Sequence, residues 1–257
     1  MQNTYILSIA GMDPSGGAGL PADLKTFEAM GIYGLAVCSA ITYQTHKTFT
    51  GMEWVSEKSM QKQLEPLLSE YTIDAVKIGI IQNTEVLQNI LNLLHNRLPN
   101  ALIIWDPVLS ASSGYPFLQD LDRKKLLDIG KHVHIITPNK KEMALLSVPH
   151  DLNETACLLS ESCHVLITQY QKQNGLITDC LFEKGESTPM SDTEIIRGEK
   201  HGSGCVFSSA LAASLLLENN LQNAVMKARA YIREYLGSGS SLLGYHYKGS
   251  ACKWKIN

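Results

Sequence analysis

Four short apolar runs constrain this chain more than any other feature of its sequence: Ala75 to Ile78, Leu102 to Trp105, Ile135 to Thr137 and Val165 to Thr168. Each is bounded by Gly, Asp or Pro, and each is too short for a helix, so they read as buried parallel strands. Between and around them lie helical patterns at Ser56 to Ser69, Thr84 to Leu94, Lys124 to Ile129 and Lys140 to Leu146, with Asn153 expected to cap a further helix over Glu154 to Glu161. Strands alternating with helices predict an α/β fold in which a mainly parallel sheet is covered on both faces. The opening follows the same plan: a strand over Tyr5 to Ala10, a Gly-rich turn, a helix over Ala22 to Met30, then a β-favouring stretch over Gly34 to Gln44. After Gly175 come strand-like pieces at Leu176 to Phe182 and Glu194 to Arg197, then helices at Cys205 to Leu217 and Leu221 to Tyr235.

No linker-like shift in composition appears before the tail from Gly237 onward, which is Gly/Ser-rich and then aromatic and basic, and no internal repeat is visible, so residues 1–257 are expected to form one domain. A chain of this length buries enough surface to need neither disulfides nor a structural metal. Its 22 Lys+Arg against 25 Asp+Glu give a net charge of -3, which offers no basic field for nucleic acid. The first basic residue is Lys25, and the opening apolar run is too short for a signal-peptide core or a membrane span. A cytoplasmic protein is expected. The six cysteines lie far apart, with no C-x-x-C pair to suggest zinc or redox chemistry.

Three segments could carry chemistry. Gly11-Met12-Asp13-Pro14-Ser15-Gly16-Gly17-Ala18-Gly19 joins the first strand to the first helix, where glycines let backbone approach a ligand closely. It matches neither the dinucleotide fingerprint nor a P-loop, and a tight turn alone would also explain it. His201-Gly202-Ser203-Gly204-Cys205 precedes a run of small and apolar residues that reads as a buried helix. Amides at such a helix start suit an anion, and a thiol there is expected to have its pKa lowered, making Cys205 a candidate base or nucleophile; an inert core cysteine behind a capping turn is the plain alternative. Finally, Asp106, Asn139 and Glu142 fall at strand ends, where they could hold Mg²⁺ against phosphate oxygens or simply cap turns and helices.

Taken in order, AGMDPSGGAG, ADLKTFEAMGIYG, AITYQT, AVKIGI, DPV, TPNKKE and HGSGC-x-x-S, spread from Ile9 to Ala212, resemble the hydroxymethylpyrimidine and phosphomethylpyrimidine kinases of thiamine biosynthesis. The resemblance implies a ribokinase-like three-layer α/β/α sandwich, phosphorylation dependent on ATP and Mg²⁺, and a homodimer. It places the pyrimidine pocket on Gly11, Asp23, Thr42, Gln44 and Ile80. It places an anion hole on Gly202, Ser203 and Gly204, and a general base on Cys205. Nucleotide contacts fall on Asn139 and Thr168, and the metal falls on Asp106 and Glu142. The Gln44 carboxamide offers a donor and an acceptor side by side, as an aminopyrimidine edge requires.

The chain departs from the family pattern at two lysines. V-L-x-K-G-G-H is here Val165-Leu166-Ile167-Thr168-Gln169-Tyr170-Gln171, and A-K-S-G is Ala111-Ser112-Ser113-Gly114. Loss of these charges should weaken nucleotide binding or shift the compensating charge, with Lys140 and Lys141 nearby in sequence. Two other readings stay open: a pyridoxal or pyridoxine kinase, against which Gln44 speaks, and a member that binds its ligand as a sensor without efficient transfer.

Overall fold

The computed structural model describes residues 4–110, 115–118, 121, 123–174, 176–191 and 198–246. In chain order the elements are β1 (Tyr5–Met12), α1 (Gly19–Ala29), β2 (Tyr33–Gln44), β3 (Phe49–Trp54), α2 (Glu57–Glu70), β4 (Ala75–Ile78), α3 (Thr84–Arg97), β5 (Leu102–Trp105) and α4 (Arg123–Gly130). There follow β6 (Ile135–Ile136), α5 (Lys140–Ser147), α6 (Leu152–Leu159), β7 (His164–Gln173), β8 (Leu176–Glu183), β9 (Glu186–Ser191), α7 (Ser203–Leu217) and α8 (Leu221–Leu236).

The described strands form one nine-stranded sheet in the order β3-β2-β1-β4-β5-β6-β7-β8-β9. All pairings from β2 through β7 are parallel, whereas β3 on one side and β8 and β9 on the other run antiparallel. The expected α/β sandwich with a mainly parallel sheet is therefore what forms. Alternation along the inner strands splits the core in two. Leu7, Val76, Ile103, Ile136 and Val165 enter one layer, beneath α2 to α6; Ile6, Ala75, Ile104, Ile135 and Leu166 enter the other, with α1, α7 and α8. Helix α7 packs against both α1 and α8. Its residues from Val206 to Ser214 are buried without a break, which is why its sequence has no polar face.

Several boundaries differ from the sequence reading. Helix α1 begins at Gly19 rather than Ala22, and α7 at Ser203 rather than Cys205. Helix α6 is capped by Asp151, not Asn153: the Asp151 carboxylate accepts from the Asn153 and Glu154 amides at 2.8 and 3.1 Å. β7 does not stop at Thr168 but bends at a bulge between Ile167 and Gln171 and continues to Gln173. β3 and β9 were not anticipated, since neither is apolar enough to stand out from a loop. The piece expected at Glu194 to Arg197 lies outside the described residues, as does Ser112. Among the described residues no helix is long and apolar enough to cross a membrane.

Candidate active site

β1 is flanked by β2 on one side and β4 on the other, so the chain leaves it in opposite directions and a crevice opens above the carboxyl ends of β1 and β4. Gly11 makes room there: a Cβ at this position would collide with the Ile80 side chain, which follows β4. At the end of β2, Thr42 Oγ1 donates to the Met12 carbonyl at 2.8 Å and accepts from Gln44 Nε2 at 2.9 Å, fixing the carboxamide. Gly11 and Ile80 are thus neighbours, and Thr42 holds Gln44 beside the Met12 carbonyl that follows Gly11.

The loop between β1 and α1 is organised by Asp13. This carboxylate, 1% exposed, accepts from Ser15 N (2.8 Å), Ser15 Oγ (2.9 Å), Gly17 N (3.2 Å) and Ala18 N (2.8 Å). It also meets His201 Nε2 at 2.9 Å. Burial works to raise the Asp13 pKa, but the bonds from His201, Ser15 and Ala18 outweigh it and hold the group below its ordinary value. The loop is thereby clasped to the segment before α7. Gly202, the α7 N-cap, sits in the left-handed region at φ 73°, and a Cβ there would strike the Gly17 carbonyl. Behind the same segment Lys200 is buried and donates to the carbonyls of Gly239 and Ser241, while the His201 amide bonds Leu242 O at 2.9 Å.

Past this clasp the first turn of α7 faces the crevice. Gly204 is exposed, and a Cβ on it would meet nothing within 4 Å, so packing does not explain the glycine. The N–H groups of a first helical turn have no partner within the helix and carry the positive end of its dipole, a setting for anionic oxygens. Cys205 follows, half-buried, with the Gly19 amide bonded to its sulfur. Its expected low pKa is corrected by the structure. Burial pushes the thiol up to about 12; Lys77 pulls the other way, but Asp106 and Asp23 add to the rise. Desolvation beats the helix dipole here, so Cys205 rests as a thiol.

Asp23 requires a second correction. Completely buried, it accepts from Ser8 Oγ (2.6 Å), Ser209 Oγ (2.7 Å) and Lys77 Nζ (3.0 Å to each oxygen). Its lone pairs are committed to the protein's own groups, so it braces the site from below and does not line the pocket. Lys77 was missed by the sequence reading, although a lysine inside a four-residue apolar strand is a signal in itself: a buried ammonium needs a partner.

Asp106, which follows β5, accepts from Ser208 Oγ at 2.8 Å and lies 3.8 Å from Lys77 Nζ. Burial raises its pKa against the pull of Lys77. Asn139 and Glu142 form a reciprocal cap on α5: Glu142 N donates to Asn139 Oδ1 at 2.9 Å and Asn139 N to Glu142 Oε2 at 2.8 Å. The Asn139 side chain is thus occupied by capping. Burial, and then the charge of Asp106, push Glu142 up to about 8. A carboxylate raised by burial at the end of β5, and a second in the first turn of α5 whose ionisation it hinders, suit a divalent cation, whose charge would relieve both. Among the described residues they are not joined by a third such side chain, so water and phosphate would complete the shell. Thr168 pairs with Asn139 through a bridge, its amide donating to Pro138 O at 2.9 Å. The bulge after it is set by the Gln169 amide, which bonds Asp179 at 2.7 Å, and Asp179 is in turn paired with buried Arg229.

Along the sheet edge the order is therefore acceptor pocket, sulfur and helix start, paired carboxylates, then an open strand end at Thr168. Chemistry so arranged is that of an α/β kinase. The structure resembles a pyridoxal kinase from Staphylococcus aureus in complex with AMP-PCP and pyridoxal in fold (TM-score 0.78, 23% identity, 95% of this chain and 92% of that one). It also resembles a phosphomethylpyrimidine kinase from Clostridium difficile 630 (TM-score 0.73, 30% identity, 90% and 99%). The hydroxymethylpyrimidine/phosphomethylpyrimidine kinase of Escherichia coli is 32% identical over 254 residues, 94% of each chain. The phosphomethylpyrimidine kinase family model matches residues 13–249, and the chain belongs to that family.

Proposed function

We propose that this protein transfers the γ-phosphoryl group of ATP to the hydroxymethyl oxygen of 4-amino-5-hydroxymethyl-2-methylpyrimidine, and then phosphorylates the resulting monophosphate, in thiamine biosynthesis. What supports this reading is a chain of contacts: the Gly19 amide lies against Cys205, Gly19 pairs with Met12, and the Met12 carbonyl accepts from Thr42, which holds Gln44. Gln44, oriented by Thr42, reads the ring nitrogen and exocyclic amine, while Ile80 packs against the ring. The Gly204 amide faces the charge on the migrating phosphoryl group, whereas the Ser203 amide donates to the Lys200 carbonyl at 3.4 Å. Cys205 takes the alcohol proton. Because it rests as a thiol, Cys205 must first give its own proton to water, so positioning and electrostatics carry most of the rate, and proton removal by the thiolate adds on the order of 10²–10⁴-fold.

ATP would lie along the edge from Cys205 toward Thr168. Four strand steps of about 4.8 Å separate β1 from β7, about 19 Å in all, which leaves room for a nucleotide beside a small alcohol. Asp106 and Glu142 would hold Mg²⁺, which when bound draws charge from the nucleotide phosphates. A homodimer in the cytoplasm belongs to this reading through the family resemblance. The test is a panel of the aminopyrimidine alcohol, its monophosphate and pyridoxal with Mg-ATP, read by product mass. Faster turnover of pyridoxal would overturn the pyrimidine assignment, and tight binding without ADP formation would make the protein a sensor.

A further inference from the structure

Lys77 shares the α1 and α7 face of β4 with Ala75, while its neighbours Val76 and Ile78 enter the opposite core. Its side chain is fully buried. The ammonium is gripped from α1 by Asp23, which Ser8 of β1 and Ser209 of α7 hold in turn. From the end of β5 it is approached by Asp106, held by Ser208 of α7. It reaches along the sheet to the level of Gly79, where a Cβ would lie 3.4 Å from Nζ. Two carboxylates therefore share one ammonium, with Lys77 and Asp23 fully enclosed and Asp106 6% exposed. Such a group is a poor way to stabilise a fold, since desolvating three charges costs more than apolar packing would. Its use lies in the field it projects into the crevice above.

Resting on the kinase reading above, we propose that Lys77 is a positioning residue for phosphoryl transfer: it fixes Asp106 at the strand end and sets a permanent positive charge behind the Cys205 sulfur. The groups acting on that sulfur are Asp106, Asp23 of α1, the Gly19 amide, Tyr235 of α8 and Lys77, and of these Lys77 alone is cationic. It therefore favours the thiolate. Cys205 first gives its own proton to water; the thiolate so formed accepts the alcohol proton as the alcohol oxygen's electron pair forms the new bond to the γ-phosphorus of ATP, and ADP leaves with the electron pair of the P–O bond that breaks.

The experiment compares Lys77→Met with the double variant Lys77→Met/Asp23→Asn. The single change strands two buried carboxylates and endangers the fold, whereas the double change leaves only Asp106 without the cation, a group whose pKa burial already raises. Folding is checked by circular dichroism and thermal unfolding. Turnover is measured with Mg-ATP and the aminopyrimidine, and alkylation of Cys205 by iodoacetamide at pH 9 is followed by peptide mass. In the folded double variant kcat should fall by on the order of 10² while the pyrimidine KM stays within about threefold, the pattern of an effect confined to the transition state. Because loss of the Asp23 charge partly offsets loss of Lys77, the stronger of the two at the sulfur, Cys205 should alkylate about twofold to fivefold more slowly, a unit of pKa being a factor of ten. A folded double variant with unchanged kcat and unchanged alkylation overturns the proposal. Alkylation needs no catalysis, so it decides the role of Lys77 even if the unaltered protein forms no ADP, a result that would refute the kinase reading instead.

Discussion

His201 Nε2 and Asp13 Oδ2 meet at 2.9 Å, which ties the loop after the first strand to the segment that opens α7. Loss of the Asp13 carboxylate would free both loops at once and leave the amides of Ser15, Gly17 and Ala18 without acceptors. Asp13→Ala should cost about 2–4 kcal/mol of unfolding free energy in urea titration, given about 1–3 kcal/mol per buried group left unsatisfied. Because the folded pKa lies below the ordinary 3.8, the contribution of Asp13 is fully present above that value and is lost as pH falls through the folded pKa. The gap in stability between wild type and Asp13→Asn should accordingly narrow below about pH 4; a constant gap would mean the carboxylate charge is not what matters.

Cys205→Ala should lower turnover by on the order of 10²–10⁴-fold and leave pyrimidine affinity, measured by calorimetry, within a few-fold. Equal turnover in the variant would exclude the sulfur as proton acceptor.

The two glycines flanking Ser203 should respond in opposite ways. Gly202→Ala forces a Cβ onto the Gly17 carbonyl in a left-handed backbone and should lower the unfolding temperature by several degrees, since the conformation alone costs about 1–2 kcal/mol. Gly204→Ala has open space and a better helix former, so its stability should hold or rise by up to about 1 kcal/mol. Its nucleotide KM should nonetheless increase, because the added methyl stands where phosphate oxygens would lie.

Glu142 provides a test in pH. With a folded pKa near 8 against an ordinary 4.5, the protonated form is favoured on folding, so metal-free stability should decline as pH rises from about 4.5 to about 8. Glu142 is partly open to solvent, which limits the decline to about 1–2 kcal/mol. Glu142→Gln should flatten it while keeping the helix cap, and added Mg²⁺ should flatten it in the wild type alone. Parallel curves for the two proteins would place the titrating group elsewhere.

Thr168→Lys restores a cation to the open strand end beside Asn139. The ATP KM should fall by up to about fivefold with little change in the pyrimidine KM, consistent with about 1 kcal/mol for one added charge near phosphate. An unchanged ATP KM would show that charge at this strand end is not limiting.

The inner strands were legible because Ala75 to Ile78 or Leu102 to Trp105 are buried on both faces and must be apolar throughout. β3 was not: Phe49 to Trp54 lies at the sheet edge, and none of its residues is fully buried, so no hydrophobic pattern marks it. The same contrast holds in the site. Gly11, Thr42, Gln44 and Ile80 were grouped through the family resemblance, and the strands they end, β1, β2 and β4, are neighbours in the sheet. The role of Asp23 could not be read, because a carboxylate in a motif looks the same whether it faces ligand or is consumed by Ser8, Lys77 and Ser209. The pKa of Cys205 failed for a related reason: a helix start is visible in sequence, whereas two carboxylates arriving from α1 and β5 are not.

Helix α7 is enclosed along nine consecutive residues, from Val206 to Ser214. A rod so tightly sheathed can neither slide nor tilt without dismantling an entire layer, so its tip stays stationary throughout a turnover. Whatever travels must be the guests themselves or the rim that surrounds them, and substitutions that loosen the sheath should blur catalysis from a distance without touching a single contact at the tip.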